Sequence, residues 1–462
     1  MNLRLSNHLT LTRVPLPIRT ALEAELQFAN PKWLENERMG RWNRGVPKTL
    51  KFFHRSGKDG LIVPRGLTRK VILACRHHQE PVVMDDRRRK GPSVDFRFQG
   101  ELRPYQQAAV DAMLKKDFGT LSAPTGSGKT VMALHMIAQR RQPAIVVVHT
   151  RELALQWIAR IEAFLGIPEK EIGWIGGGRR RLGAAVTVAM VQSLYKCADE
   201  IAAHFGHLVV DECHRAPSRT FTEAVTAFDT RYMLGLSATP FRRDGLSKLI
   251  FWHLGDVHHR LAAADLVAGG QILDIEVMWR TTDFVAYADP VSEYSRMLSE
   301  LTHNDTRNRL IVADLAEEVN NAHRPGVCLV LSDRKLHCQV LQALLKHKHH
   351  VDAELLTGDL SAEQRKAVIE RVNSGAARVL IATGQLIGEG FDCPRLSTLF
   401  LATPVRFSGR MMQYLGRILR PTPGIERARV YDYVDVLVPP LNKAAQARRG
   451  VYEGLEQVWG GG

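Results

Sequence analysis

Twice along this chain, short β-branched runs alternate with amphipathic stretches, and few folds accommodate that rhythm other than a parallel sheet covered by helices. In the first series "PAIVVVHT" (143–150), "AAVTVAM" (184–190), "HLVVDE" (207–212) and "YMLGLSAT" (232–239) read as buried strands, with "FGTLS" (118–122) ahead of them. The stretch 151–166 reads as a helix, with Leu153, Trp157, Ile161 and Phe164 at helical spacing and Gly166 as its stop. The second series is "GVCLVLSD" (326–333), "DAELLTG" (352–358), "ARVLIAT" (377–383), "STLFLAT" (397–403) and "ARVYDYVD" (428–435). An α/β protein with two similarly built lobes is therefore expected, over 99–280 and 281–462. Residues 278–300 break the rhythm and are expected to join them, and 441–462 reads as a helix covering the second lobe. A length of 462 residues is too great for one core.

Between the 118–122 run and "TVMALHMIAQR" stands "APTGSGKT" (123–130). A loop of this form between a strand and a helix aims backbone N–H groups at phosphates. Thr125, Gly126, Ser127 and Gly128 would cradle a triphosphate, Lys129 would reach its β- and γ-phosphates, and the Thr130 hydroxyl would ligate Mg²⁺. The complementary part is an acidic residue at a strand tip. "HLVVDECH" supplies Asp211 for the metal's water shell and Glu212 to polarise an attacking water. ATP and Mg²⁺ are the expected ligands.

Other segments fall in an order that resembles the superfamily 2 helicases of the DExH type, and among them the XPB-like and UvsW-like DNA translocases. The resemblance rests on "LRPYQQAAV" (102–110), the phosphate loop opened by Ala123, the "DECH" box, "LSATP" (236–240), "LTHNDTRNRLIVADL" (301–315), "ATGQLIGEGFDCP" (382–394) and "QYLGRILRP" (413–421), and covers roughly residues 99–437. It implies two tandem RecA-like domains. It places Arg103 and Gln106 near adenine, Gly390 and Asp392 facing the nucleotide, and Arg417 and Arg420 as arginine-finger candidates, with Gln413 one turn earlier. His214, Ser237 and Thr239 would link hydrolysis to movement. Nucleic-acid contacts are implied for Thr150, Arg151, Gly177 of "IGGG", Thr187, Gln192 and Ser193 in the first lobe, and for Ser332, Thr357, Gly358 and Thr383 in the second. Where XPB carries Arg-Glu-Asp, this chain has "FRRDG" with Arg242, Arg243 and Asp244.

The net charge of +15 is concentrated at the start. Residues 1–100 hold 20 Lys and Arg against 9 Asp and Glu, as a polyanion-binding module would. "DDRRRKGPS" (85–93) reads either as part of that module or as a solvated run. In the basic stretch 28–57, Trp33, Trp42, Phe52 and Phe53 either stack on bases or form the core of a small module. A basic α+β domain is expected over 1–98. DNA, whether duplex, single-stranded or branched, is the expected partner, with an RNA helicase or a motor serving a nuclease or repair factor as alternatives. Six scattered cysteines without paired spacing point to a reducing compartment and no structural zinc. With no run apolar enough for a membrane span, a cytoplasmic protein is expected.

Overall fold

The computed structural model of the protein describes residues 1–215, 219–238, 247–262, 265–266, 269–388, 393–405 and 408–456. The chain divides into two compact units, one of Met1–Ala123 with Gly128–Arg260, the other of Pro124–Ser127 with Leu261–Gly462.

In the first unit the expected parallel sheet is present. Its order among the described residues is Arg179–Arg181, Gly173–Gly176, Val186–Met190, Ala144–Val148, His207–Val210, Tyr232–Ser237, Phe118–Ser122 and Val257–Arg260. Every pair is parallel except the hairpin between the first two strands. Ala144–Val148 and His207–Val210 are buried at every position, because helices cover both faces of a parallel sheet. The 151–166 expectation becomes the helix Arg151–Leu165, closed by Gly166 in a left-handed conformation.

The N-terminal segment forms its own five-stranded sheet, ordered His54–Ser56, Gly60–Pro64, His8–Thr12, Asn2–Leu5 and Val83–Asp86. Leu3, Leu5, Leu9 and Leu11 alternate inward from two of these strands onto the helices Leu16–Glu25 and Thr68–His77. This apolar cluster also takes in Leu249 and Trp252 of the helix Ser247–Leu254, which belongs to the parallel-sheet part of this unit. Phe28 stacks on Phe52 at 5.6 Å between ring centroids, and Phe52 meets Trp252 at 5.5 Å. Gly66 comes so close to this helix that a Cβ would sit 2.1 Å from the Phe251 carbonyl oxygen. Buried Arg65 donates from Nη1 to the Thr230 carbonyl at 3.0 Å. Phe52 and Phe53 are thus packing residues. Trp42 is not.

The second unit holds a parallel sheet ordered Asp274–Thr282, Arg427–Asp435, Leu396–Leu401, Val327–Ser332, Val379–Thr383 and Glu354–Leu356. Its first strand corrects the expected linker, since Asp274–Thr282 pairs along its whole length with Arg427–Asp435. As an edge strand it is mostly half-buried and tolerates Glu276, Arg280 and Thr281, so it lacks an apolar run. The C-terminal helix Pro439–Glu456 lies over this side of the sheet, with Tyr452 edge-on to Trp279 at 5.5 Å. Among the described residues no helix is long and apolar enough to cross a membrane.

Several charges lie inside the second unit. Arg307 donates from Nε to Asp435 Oδ1 at 2.8 Å and from Nη1 to the Ala402 carbonyl at 2.6 Å, and both ionic side chains are 1% exposed. Removing one partner strands a desolvated charge, at a cost of about 3–5 kcal/mol. Arg307→Ala should therefore lower the thermal midpoint of this lobe by about 6–20 °C, measured by calorimetry.

Candidate functional site

The carboxyl ends of neighbouring parallel strands meet at one edge of the first sheet, the place where open α/β sheets bind ligands. Phe118–Ser122 leads into the loop 123–128, the adjacent strand ends at Ser237, and the next runs into Asp211. The Ala123 amide donates to the Ser237 carbonyl at 2.9 Å, which fixes the root of the loop.

The helix Lys129–Arg140 begins directly after the loop. Gly128 precedes it with φ +82°, and a Cβ at this position would lie 2.3 Å from Gln106 Nε2. Only glycine meets both conditions. Gly126 has φ +89°, Thr125 is half-buried, and the buried Ser127 hydroxyl donates to the Pro124 carbonyl at 2.7 Å. Lys129 Nζ donates to the Ala123 carbonyl at 2.9 Å, and Thr130 is half-buried in the first helical turn. Gln106 is buried and accepts the Arg103 amide on Oε1 at 3.0 Å, so these two residues share the start of the Pro104–Leu114 helix.

Asp211 is held from two sides. Its Oδ2 accepts the Trp157 indole N–H at 2.8 Å and its Oδ1 accepts the Glu212 amide at 2.8 Å. Burial, then the adjoining Glu212 carboxylate, push the Asp211 carboxyl above the ordinary carboxylate range, while the indole and the Lys129 ammonium pull it back. Two carboxylates crowded in a desolvated corner suit a divalent cation, and an ammonium at a helix start suits polyphosphate. The donor set thus fits Mg²⁺ and a nucleoside triphosphate. Glu212 has φ +48°, a strained conformation for a residue other than glycine, of the kind that collects at functional sites.

His214 ties this corner to the next strand. Its Nδ1 lies 3.0 Å from Ser237 Oγ and 3.1 Å from Glu212 Oε2. Thr239, Gly390 and Asp392 lie outside the described residues, as do Arg242, Arg243 and Asp244.

The residues expected to touch nucleic acid divide on burial. In the first unit Thr150 caps the Arg151–Leu165 helix by accepting the Leu153 amide at 3.3 Å, and Arg151 is exposed beside it. Exposed Gln192 donates to the His149 carbonyl at 3.1 Å, so it and half-buried Ser193 sit next to Thr150 at the same sheet edge. Gly177 is exposed in the turn of the hairpin from Gly173–Gly176 to Arg179–Arg181. Thr187 is corrected: it is fully buried within its strand, where its hydroxyl accepts the Gly183 amide at 3.0 Å, and it offers nothing to a phosphate.

In the second unit Ser332 and Thr383 end paired strands, and Thr357 and Gly358 follow the next strand out. Ser332 is corrected as well. Its hydroxyl is buried and lies 3.0 Å from His337 Nδ1, whose Nε2 is 2.9 Å from Asn308 Oδ1, so this hydroxyl organises the interior. Thr357 is also buried, whereas Thr383 is half-buried and Gly358 exposed. Gln413 and Arg417 stand one turn apart on the helix Ser408–Ile418, Gln413 buried and Arg417 half-buried, and Arg420 follows the helix end. The Tyr414 hydroxyl donates to the Gly384 carbonyl at 3.0 Å and anchors this helix.

The basic run 87–90 is divided: Arg87 and Lys90 are exposed, as a solvated run would be, whereas Arg88 and Arg89 are drawn into ion pairs with the first unit's sheet region. Arg88 is almost wholly buried and pairs with Asp86 at 2.8 Å and Asp117 at 2.7 Å, Arg89 pairs with Asp229 at 2.9 Å, and Arg87 pairs with Asp85 at 2.7 Å. Two of these arginines therefore fasten the N-terminal module to the flank of the first parallel sheet.

In the sequence Trp157 reads as helix packing; a buried tryptophan N–H needs an acceptor, but no local pattern names Asp211, 54 residues on, as that acceptor. The anchoring role of Tyr414 has no sequence signal either.

Residues 99–242 match the family described as "Type III restriction enzyme, res subunit", and residues 310–422 match "Helicase conserved C-terminal domain". The "DNA 3'-5' translocase XPB2" of Sulfurisphaera tokodaii is 29% identical over 350 residues, covering 69% of this chain and 79% of the relative. A protein of Acanthamoeba polyphaga mimivirus, named as a proposed ATP-dependent RNA helicase, is 26% identical over 375 residues, covering 78% of this chain and 69% of its own. A fragment structure of a proposed HsdR subunit of a type I restriction enzyme from Vibrio vulnificus shares the fold. It covers 76% of this chain and 66% of that one at 19% identity, with a TM-score of 0.57. With the phosphate loop inside the first matched segment and a helicase C-terminal domain following it on the same chain, the protein belongs to the superfamily 2 helicases, has XPB-like relatives, and is an ATP-hydrolysing enzyme.

Proposed function

We propose that this helicase is a DNA translocase that couples ATP hydrolysis between two RecA-like lobes to movement along, or remodelling of, duplex or branched DNA. The observation that carries this reading is the fastening of a basic N-terminal module to the first motor lobe through Arg65, Arg88 and Arg89. A grip on DNA made by residues 1–98 would then move with that lobe. In this reading Gln106 and Arg103 contact adenine, and Thr125–Lys129 hold the phosphates. Thr130 and Asp211 would hold Mg²⁺, which neutralises charge on the phosphate oxygens.

Glu212 orients the attacking water. His214 lies against both Glu212 and Ser237, so a shift at the carboxylate is felt at the next strand. Arg417 and Arg420, with Gln413 behind them, stabilise the transition state from the second lobe when the lobes close. Thr150, Arg151, Gln192 and Ser193, with Gly177, Gly358 and Thr383, track the backbone without reading sequence.

RNA is the second reading, favoured by the mimivirus relative's name. ATPase rates with single-stranded, duplex and forked DNA and with RNA, measured side by side, decide between them: stimulation by DNA is expected, and stimulation by RNA alone would reverse the assignment. A further expectation concerns salt. If six or more phosphates are neutralised, DNA affinity should fall by about 10³–10⁵ between 50 and 200 mM salt, and a gel-shift titration insensitive to salt would remove the phosphate grip. The restriction-subunit family match supports a protein partner with nuclease activity, tested by co-purification from the native host.

A further inference from the structure

The basic excess of the first hundred residues is of two kinds. The arginines at 87–89 are paired with carboxylates, two of them in the seam with the motor sheet. Arg38, Arg41, Arg44 and Lys48 are all exposed, lie around one loop, and have no carboxylate partner among the described residues. This loop joins the helix Pro31–Arg38 to the strand Thr49–Lys51. At its centre Trp42 is 80% exposed, whereas Trp157 and Trp252 are 1% and 4% exposed.

A single exposed apolar side chain is ordinary on a protein surface. What distinguishes Trp42 is the loop that presents it. Asn36 Nδ2 donates to Asn43 Oδ1 at 2.9 Å, Asn43 Nδ2 donates to the Trp33 carbonyl at 3.3 Å, and the Arg41 amide donates to the Asn36 carbonyl at 2.7 Å. Asn30 Nδ2 holds the Pro47 carbonyl at 2.9 Å, and the Val46 amide closes a turn onto the Asn43 carbonyl at 3.0 Å. The neighbours of Trp42 on both sides are therefore fixed while its ring projects into solvent. The Arg44 guanidinium lies over the ring at 5.5 Å from the centroid, and Lys48 lies over Trp33 at 5.0 Å.

We infer that this loop is a base-stacking site, in which Trp42 takes the face of an unpaired DNA base and Arg38, Arg41, Arg44 and Lys48 neutralise the flanking phosphates. A loop whose backbone is already fixed loses little conformational freedom on binding, and every base has a π-face, so such a platform tolerates any sequence. Leu34 and Met39 are also exposed nearby, and Glu35 and Glu37 stand on the preceding helix. Four exposed cations on this loop and its flanks, none with a carboxylate partner among the described residues and one over the Trp42 ring itself, still favour an acidic polymer over an apolar protein surface. The inference rests on the DNA reading above and adds to it the unpaired base and the residue that meets it.

The test uses the full chain as wild type, Trp42→Ala and Trp42→Phe, with a forked DNA and a single-stranded oligonucleotide, each also prepared with abasic sites in the unpaired part. Trp42→Ala should weaken binding to the intact single strand by about five- to hundredfold, and Trp42→Phe should restore most of it. Base removal should weaken the wild type by a similar factor and leave Trp42→Ala indifferent. Thermal stability should not change, because the side chain is in water. Trp42→Ala binding DNA like the wild type, or wild type ignoring base removal, overturns the inference and leaves the DNA reading standing. Wild type that binds no DNA in any form overturns both.

Discussion

Glu212→Gln and Lys129→Ala should each lower nucleic-acid-stimulated ATP hydrolysis by orders of magnitude in a protein that remains folded and still binds its nucleic acid. For Glu212 the expected fall in turnover is about 10²–10⁴-fold, the range a positioned proton acceptor supplies. Glutamine keeps the length of the side chain and suits the left-handed backbone at φ +48° no worse than glutamate does, so the change isolates the carboxylate. For Lys129 the expected loss is of comparable size, because the proposed contact of its positive charge with the phosphates is removed. Its present bond is to a loop carbonyl, and the residue is only half-buried, so alanine should cost little stability. Steady-state ATPase assays with saturating forked DNA, run beside thermal melts, supply the comparison. Turnover within tenfold of wild type in both variants would mean that the chemistry happens elsewhere.

Arg417→Ala should have the largest effect of any single substitution, lowering turnover by about 10³–10⁵ while the Michaelis constant for ATP changes only a few-fold. The reason is that a finger acts on charge that appears in the transition state and contributes little to the bound ground state. Arg417 stands within a helix anchored by the Tyr414 hydroxyl on Gly384, which makes it the more rigidly presented of the two arginines. Arg420, past the helix end, should show the smaller loss. Equal losses in turnover and in ATP affinity for Arg417→Ala would recast it as a binding residue.

The placement of the loop and the carboxylate was legible in the sequence: Gly128 and Lys129 stand at a helix start after a strand, and Asp211 follows a buried strand, as local order announces. Strands buried on both faces, such as Ala144–Val148, announce themselves as unbroken apolar runs. What long-range packing decides was not legible. Asp274–Thr282 has one neighbour strand and carries charges, so its run looks like a connector. Whether Phe52 stacks on a base or on Phe28 depends on a helix some 200 residues away in sequence, and the exposure of Trp42 follows only from which aromatics that helix takes up. Thr187 and Ser332 show the converse error: a hydroxyl in the right segment is still useless to a ligand if the interior needs it first.

The close approach of Gly66 to the Ser247–Leu254 helix has a bearing on how such a machine can be re-engineered. Leu249 and Trp252 have no cover of their own, so a motor trimmed of its leading hundred residues would present a greasy flank to solvent. The N-terminal module is thus closer to a chassis member than to a detachable tool. Grafting another in its place would require redesigning this helix along with the graft.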